Sequence, residues 1–199
     1  MRLTGRKSFI TGAAKGIGLS VARAFAAEGA AVALADISEE ESKKQSLEIK
    51  ETFGVDAIGV KCDVGDTISV QNAIKEASEA FNGLNTIACM AATLTERLDV
   101  VDLPEDEWNR TLNVNLTGSF LVCKHGIPFL REAGGGSIIL TASQMGQVAW
   151  PGSTAYCTTK GGILQLVKGI ALDHKDENIR CNSISVSYTH LTLPTTRLV

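Results

Sequence analysis

The chain has 199 residues and a formal net charge of −3, with 44% hydrophobic and 21% charged residues. This length predicts one domain, and this composition is typical of a globular protein and excludes a disordered or fibrous chain. Because the net charge is weakly negative, the chain has no overall basic field to attract nucleic acid or an anionic membrane, and we expect neither partner.

The sequence also argues against membrane and metal-binding classes. No apolar run approaches the roughly 18 residues that a membrane span needs, and the start Met-Arg-Leu-Thr-Gly lacks the apolar stretch of a signal peptide. We therefore expect a cytoplasmic protein. The five cysteines and three histidines form neither C-x-x-C nor H-x-x-x-H spacing, so no metal site is predicted and the thiols should be reduced and mostly buried.

Short apolar runs alternate with segments of helical period, which predicts βαβ units around a parallel sheet. Strands are predicted at residues 8–11, 31–35, 57–62, 86–90, 137–141 and 179–185, and helices at residues 17–28, 39–52, 70–81 and 153–174. Residues 104–131 form either one long helix or a broken pair, with Pro104 in a first helical turn, and residues 134–136 read as a turn. The predicted fold class is a single α/β domain with a doubly wound parallel sheet.

A glycine-rich segment, Thr11-Gly12-Ala13-Ala14-Lys15-Gly16-Ile17-Gly18, lies between the first predicted strand and its helix. A turn of this kind lets backbone N–H groups and the helix N-terminus approach a pyrophosphate, which indicates a dinucleotide site. The spacing G-x-x-x-G-x-G differs from the more familiar G-x-G-x-x-G, so a turn that merely packs remains the alternative.

Asp36 bears on which dinucleotide would bind. It follows the second predicted strand, twenty residues after Gly16, where a carboxylate can accept hydrogen bonds from ribose hydroxyls. This placement favours NAD as the cofactor. Lys15 favours NADP instead, because a cation in the turn could bind a 2′-phosphate, and NADP is kept as the alternative.

Tyr156 and Lys160 lie four residues apart on one predicted helix and therefore share a face. An ammonium group beside a phenol favours the phenolate and lowers the phenol pKa from its usual value of about 10, which would make the pair a general acid and base. The alternative is a tyrosine packed on the stem of a lysine. Ser143, just after the fifth predicted strand, adds a hydroxyl able to hydrogen-bond a reacting carbonyl oxygen.

In this order and at these spacings, the motifs resemble those of the short-chain dehydrogenase/reductase family. The resemblance runs from about Gly5 to Ser185 and also includes Asp63-Val64, N-V-N-L-T-G at Asn113 to Gly118, Y-C-T-T-K at Tyr156 to Lys160, and I-R-C-N at Ile179 to Asn182. It implies a Rossmann-type fold and an NAD-dependent oxidoreductase that interconverts a secondary alcohol and a ketone by hydride transfer. The alternatives are an NADP-linked carbonyl reductase and a nucleotide-binding fragment without activity.

The resemblance also implies roles for individual residues. Tyr156 would exchange a proton with the small-molecule alcohol or ketone, Ser143 would hold its oxygen, and Lys160 would bind the nicotinamide ribose. Asn115 would complete the catalytic set by anchoring a water of the proton relay. Besides Tyr156 and Lys160, the implied cofactor-binding residues are Gly12, Lys15, Gly16, Ile17, Gly18, Asp36, Asp63, Val64 and Ala91. The two long helices that carry Asn115 and Tyr156 imply a homodimer or homotetramer.

Two segments depart from the family pattern. Where the family usually shows N-N-A-G, this chain has Cys89-Met90-Ala91-Ala92, which lacks the amide side chains. Residues 186–199 match no part of the pattern, and we interpret them as an artefactual tail on an incomplete domain, residues 1–185, that lacks its last helix and strand. Such a truncation should leave the sixth strand as an unprotected edge and lower the solubility of the chain.

Overall fold

Residues 1–186, the part of the chain that this computed structural model describes, contain six strands and six α-helices. The strands are β1 (Lys7–Thr11), β2 (Ala31–Asp36), β3 (Ala57–Lys61), β4 (Thr86–Cys89), β5 (Gly136–Ser143) and β6 (Ile179–Val186). The helices are α1 (Gly16–Ala27), α2 (Glu39–Phe53), α3 (Thr67–Phe81), α4 (Glu105–Leu112), α5 (Gly118–Glu132) and α6 (Thr154–Asp173). Of the predicted tail, residues 187–199 lie outside the described part, and Val186 is the last residue of β6.

All strand pairs are parallel and the sheet order is β3-β2-β1-β4-β5-β6, which confirms the predicted doubly wound α/β fold. From β1 the chain builds the sheet outward to β3, then returns to the other side of β1 to start β4. The carboxyl ends of β1 and β4 therefore form the topological switch point of the sheet. In open α/β sheets, ligands bind in the crevice at this point.

The sheet is buried on both faces because successive side chains of its central strands point to opposite sides. Phe9 belongs to the core cluster under α3, α5 and α6, whereas Ile10 belongs to the cluster under α1 and α2. Both side chains are fully buried. Along residues 1–186, none of the helices combines the length and apolar character that crossing a membrane requires.

The segment predicted as one long helix or a broken pair is one helical run with a π-helical segment, Asn113–Thr117, between α4 and α5. Pro104 was predicted to lie in the first turn of a helix. It is instead the N-cap residue of α4 and therefore lies immediately before that turn. Gly136 was predicted to lie in a turn, which is wrong, because it is the first residue of β5 and pairs with Ile179. A Cβ atom at Gly136 would lie 2.6 Å from the carbonyl oxygen of Asn85, so glycine here permits close strand packing.

Candidate active site

The turn between β1 and α1 brings three backbone segments into close contact. Gly12 and Gly16 have φ angles of +63° and +60°, which favour glycine. A Cβ atom at Gly12 would lie 2.7 Å from Cα of Ala91, and one at Gly18 would collide with the carbonyl oxygen of Gly12. The N-cap residue Lys15 makes no side-chain capping bond, so the first N–H groups of α1 are open to an anion.

Asp36, the last residue of β2, lies against this turn. Its Oδ2 accepts a hydrogen bond from the Ala14 N–H at 3.1 Å, and its Oδ1 accepts one from the Ser38 N–H at 3.0 Å. The side chain is partly exposed. The structure therefore brings the predicted ribose-binding carboxylate and the predicted pyrophosphate-binding turn together at one edge of the sheet.

The ends of β1, β3 and β4 complete the predicted cofactor side of the candidate site. The Thr11 hydroxyl accepts hydrogen bonds from the N–H groups of Met90 and Ala91, at 3.1 and 3.2 Å. Asp63 follows β3, where its Oδ1 accepts a hydrogen bond from the Gly65 N–H at 2.9 Å. Val64 is buried and packs so closely on α5 that a Cβ atom at Gly118 would lie 2.8 Å from its Cγ2.

Lys160 is the buried charged residue on the predicted catalytic side of the candidate site. Its side chain is 2% exposed, and its Nζ donates a hydrogen bond to the carbonyl oxygen of Thr141 at 2.7 Å. The same Nζ lies 5.5 Å from the centroid of the Tyr156 ring. Burial lowers the pKa of Lys160 to about 8.

Ser143 and Tyr156 lie close in sequence to Thr141 and Lys160, the two residues joined by this bond. Ser143 is the last residue of β5, two positions after Thr141, and its Oγ accepts a hydrogen bond from the Met145 N–H at 3.1 Å. Tyr156 lies in the first turn of α6 and is partly exposed. Because Lys160 reaches back from α6 to Thr141, the tyrosine and the serine are held at the same end of β5.

Asn115 lies inside the π-helical segment and is 1% exposed. Its Oδ1 accepts a hydrogen bond from the Thr93 N–H at 2.7 Å, and its Nδ2 donates to the Thr93 carbonyl at 2.9 Å and to the Thr159 hydroxyl at 3.3 Å. Thr93 and Thr159 were not predicted as site residues. Thr159 is part of the Y-C-T-T-K motif, but no sequence pattern marks Thr93, which lies in an irregular loop.

The Cys89-Met90 segment, which departs from the family pattern, joins the two halves of the site. The Thr141 hydroxyl donates to Sδ of Met90 at 2.9 Å, while the Met90 N–H donates to the Thr11 hydroxyl. Cys89 is buried, as are three further cysteines, and all five are free thiols. Hydrogen bonds thus run from Lys160 through Thr141 and Met90 to Thr11, beside the glycine turn. Thr11 and Thr141 were missed as site residues because their partners come from distant strands.

A doubly wound parallel sheet with a glycine turn at its switch point defines a Rossmann-type dinucleotide-binding fold. Comparison with known proteins identifies the family within this fold. A family model described as enoyl-(acyl carrier protein) reductase matches residues 12–196. The chain is 38% identical over 183 residues to a 2,5-dichloro-2,5-cyclohexadiene-1,4-diol dehydrogenase of Sphingobium indicum, covering 92% of this chain and 72% of that protein.

Two further relatives agree with this match. A D-threitol dehydrogenase of Mycolicibacterium smegmatis is 34% identical over 184 residues, which cover 92% of this chain and 70% of that protein. The crystal structure of an NAD+-bound xylitol dehydrogenase superimposes with a TM-score of 0.91 at 34% identity, covering 94% of this chain and 72% of that one. The chain belongs to the short-chain dehydrogenase/reductase family and is an oxidoreductase of that type, which confirms the resemblance read from its motifs.

The pKa of Lys160 predicts how stability changes with pH. Between the folded-state pKa of about 8 and the ordinary value of 10.5, the unfolded chain binds the Lys160 proton more strongly than the folded chain. The free energy of unfolding therefore rises with pH across this window through this group. Lys160→Met removes that contribution. Across this window, the free energy of unfolding of the variant should therefore rise less than that of the wild type, and the difference should be up to about 3 kcal/mol.

Urea unfolding at several pH values between the two pKa values measures this difference. Lys168→Met is the matched control, because Lys168 is exposed on the same helix, and its curve should stay parallel to that of the wild type. If the curve of Lys160→Met also stays parallel to that of the wild type, the Lys160 amine does not have a lowered pKa in the folded chain.

Proposed function

We propose that the chain is an NAD-dependent dehydrogenase that interconverts a secondary alcohol and a ketone, with Tyr156 as general acid and base. The observation that carries this proposal is the buried Lys160 amine, whose Nζ lies 5.5 Å from the centroid of the Tyr156 ring. A cation at that position stabilises the phenolate, so the Tyr156 hydroxyl can release a proton and take it back.

The residues of the glycine turn fit a dinucleotide. Gly16 has a positive φ, and a Cβ atom there would meet nothing within 4 Å, so the space before the N-terminus of α1 is open. Lys15, Ile17 and Gly18 are the sequence neighbours of Gly16, and Ile17 is 41% exposed. Backbone N–H groups here would hold the pyrophosphate, with Asp36 at the adenine ribose and Asp63, Val64 and Ala91 at the adenine end.

The nicotinamide ring of such a cofactor, when bound, supplies the carbon that accepts or returns hydride. The residues of the chain handle the proton and the geometry. Ser143 would hydrogen-bond the substrate oxygen, and Tyr156 would take its proton during oxidation and return it during reduction. Lys160 would exchange its bond to Thr141 for the ribose hydroxyls, while its charge stabilises the phenolate.

Tyr156→Phe tests this proposal. Because the phenyl ring keeps the packing and loses only the hydroxyl, kcat should fall by about 10²- to 10⁴-fold, whereas the affinity for NADH should stay nearly unchanged. Steady-state kinetics on a panel of polyols and cyclic diols would give kcat, and fluorescence titration would give NADH binding. A variant that retains most of its turnover would exclude Tyr156 as the proton donor, and a wild-type chain that binds NADH but turns over no alcohol would favour the inactive fragment.

Asp36 supports NAD over NADP. Its carboxylate is fixed against the turn by the N–H groups of Ala14 and Ser38, where it would accept from ribose hydroxyls and repel a 2′-phosphate. The related xylitol dehydrogenase structure holds NAD+. The NADP alternative rests on Lys15, which is exposed at the start of α1.

Asp36→Ala should therefore relax the choice between the two cofactors. Removal of the carboxylate should weaken NADH binding and permit NADPH binding, so that the ratio of the two dissociation constants changes by about tenfold or more. Asp56→Ala provides the control, because Asp56 is exposed beside the opposite end of the sheet. If the wild type prefers NADPH, or if Asp36→Ala leaves the ratio unchanged, the assignment of NAD is wrong.

We also propose a homodimer or homotetramer formed through α5 and α6. A groove of about 360 Å³ lies between these helices and is lined by apolar side chains that include Ile127, Leu166 and Ile170. Phe120, also on the groove, is 45% exposed although it is a large apolar residue. In a two-fold symmetric dimer, α5 and α6 of a second copy of the chain would pack on this surface and cover it.

Sedimentation velocity on Phe120→Glu tests this interface, because a buried carboxylate should shift the wild-type oligomer toward smaller species. Ile68→Glu is the control, since Ile68 is 61% exposed on α3, away from the groove. A monomeric wild type, or an oligomer that Phe120→Glu leaves intact, would contradict the proposed interface.

A further inference from the structure

The loop between β4 and α4, residues 90–104, lies between the cofactor and catalytic sides of the site. Its first residues, Met90 and Ala91, lie beside the glycine turn, and further along the loop Leu98 forms a bridge with Ser153, immediately before α6. Because the loop lacks regular structure, its backbone N–H and C=O groups need partners from elsewhere. Most of the loop is exposed, so its position depends on a small number of fixed contacts.

Thr93 is the residue of this loop with the most such contacts. Both of its backbone polar groups are bonded to the side-chain amide of Asn115, and its hydroxyl accepts a hydrogen bond from Nη1 of Arg110 at 2.6 Å. Asn115 in turn donates to the Thr159 hydroxyl, which donates to the carbonyl oxygen of Tyr156 at 2.8 Å. We call Arg110, Thr93, Asn115 and Thr159 the Thr93 network.

Arg110 is itself fixed by its neighbours. Its Nε and Nη2 bond the Glu107 carboxylate at 2.7 and 2.9 Å, and Nη2 also donates to the carbonyl oxygen of Leu94 at 3.3 Å. With the bond to Thr93, four of the five N–H groups of the guanidinium are occupied. Arg110, whose side chain is 49% exposed, therefore links α4 to the loop through Thr93 and Leu94 and is poorly suited to bind a substrate anion.

We infer that Arg110 is a positioning residue for the Tyr156–Lys160 pair, acting through Thr93 and Asn115. If Thr93 moves, Asn115 loses two of its three hydrogen bonds and no longer fixes Thr159, the residue before Lys160. The start of α6 then loosens and admits water to the Lys160 amine. This role rests on the proposed function of the pair, but its effect on Lys160 exists in the chain without cofactor.

Two single variants and their double variant test this inference. Arg110→Met removes the guanidinium, Thr93→Val removes the hydroxyl while keeping the side-chain shape, and the double variant removes both partners. Arg2→Met is the control, because Arg2 forms a similar two-point pair with Glu28 on the surface and has no bond to the loop. The thermal unfolding midpoint of each variant shows whether it folds.

The first readout is the titration of the Lys160 ε-amine in the cofactor-free chain, followed by NMR of labelled lysine. Arg110→Met and Thr93→Val should each move its midpoint from about 8 toward the ordinary 10.5, because water enters the site. The double variant should show no larger shift than either single variant, since both changes break the same bond. An unchanged midpoint in Arg110→Met, or additive shifts in the double variant, would overturn the inference.

The second readout is activity. Arg110→Met should lower kcat by about tenfold with little change in the KM for the dinucleotide, whereas Arg2→Met should change neither. An equal loss in both variants, or a rise in KM alone, would assign Arg110 a purely structural or binding role. If the wild-type chain shows no turnover, the proposed function fails, while the Lys160 titration still decides whether Arg110 positions the pair.

Discussion

The buried amine of Lys160 is the feature on which the organisation of the site depends. A charged group that is 2% exposed needs a fixed hydrogen-bond partner, and the Thr141 carbonyl provides one. Two separate hydrogen bonds, from the Thr141 hydroxyl to Met90 Sδ and from the Met90 N–H to the Thr11 hydroxyl, connect the same strand end with the glycine turn. Hydrogen bonds therefore connect the end of β5 that binds Lys160 with the turn suited to a pyrophosphate, and a dinucleotide bound as proposed would span the two.

Close backbone contact makes this arrangement possible. The turn after β1 touches both the start of α1 and the segment after β4, and glycines at positions 12 and 18 are needed because side chains there would collide with backbone atoms. The contact falls at the switch point of the sheet, where the chain leaves β1 and β4 in different directions. The fold thus places the groups proposed to bind phosphate and the groups proposed to be catalytic on neighbouring strand ends. Met90 and Thr141 supply the link between strands without the amide side chains that the family usually has there.

Much of this could be predicted from the sequence. The strands were predictable because apolar runs alternate with helical periods, and Asp36 and Ser143 could be placed because parallel strands end at one edge of the sheet. The π-helical segment could not be predicted, because its central residue, Asn115, bonds Thr93 and Thr159, which are remote in sequence. Thr93 and Arg110 escaped notice for the same reason. Thr93 lies in a loop without periodicity, and Arg110 lies on α4 but bonds Thr93, which is 17 residues away in the sequence. Gly136 was misplaced because a run of three glycines resembles a turn when the packing of Asn85 is unknown.

A crystal structure of the protein with bound NAD+ would test the central claim most directly. The account predicts the pyrophosphate at the N-terminus of α1, the adenine ribose within hydrogen-bond distance of Asp36, and the Lys160 Nζ moved from Thr141 to the nicotinamide ribose. The nicotinamide ring should face Tyr156 and Ser143. A structure in which Lys160 stays on the Thr141 carbonyl and the nicotinamide lies away from Tyr156 would contradict the assignment of this pair as the catalytic centre.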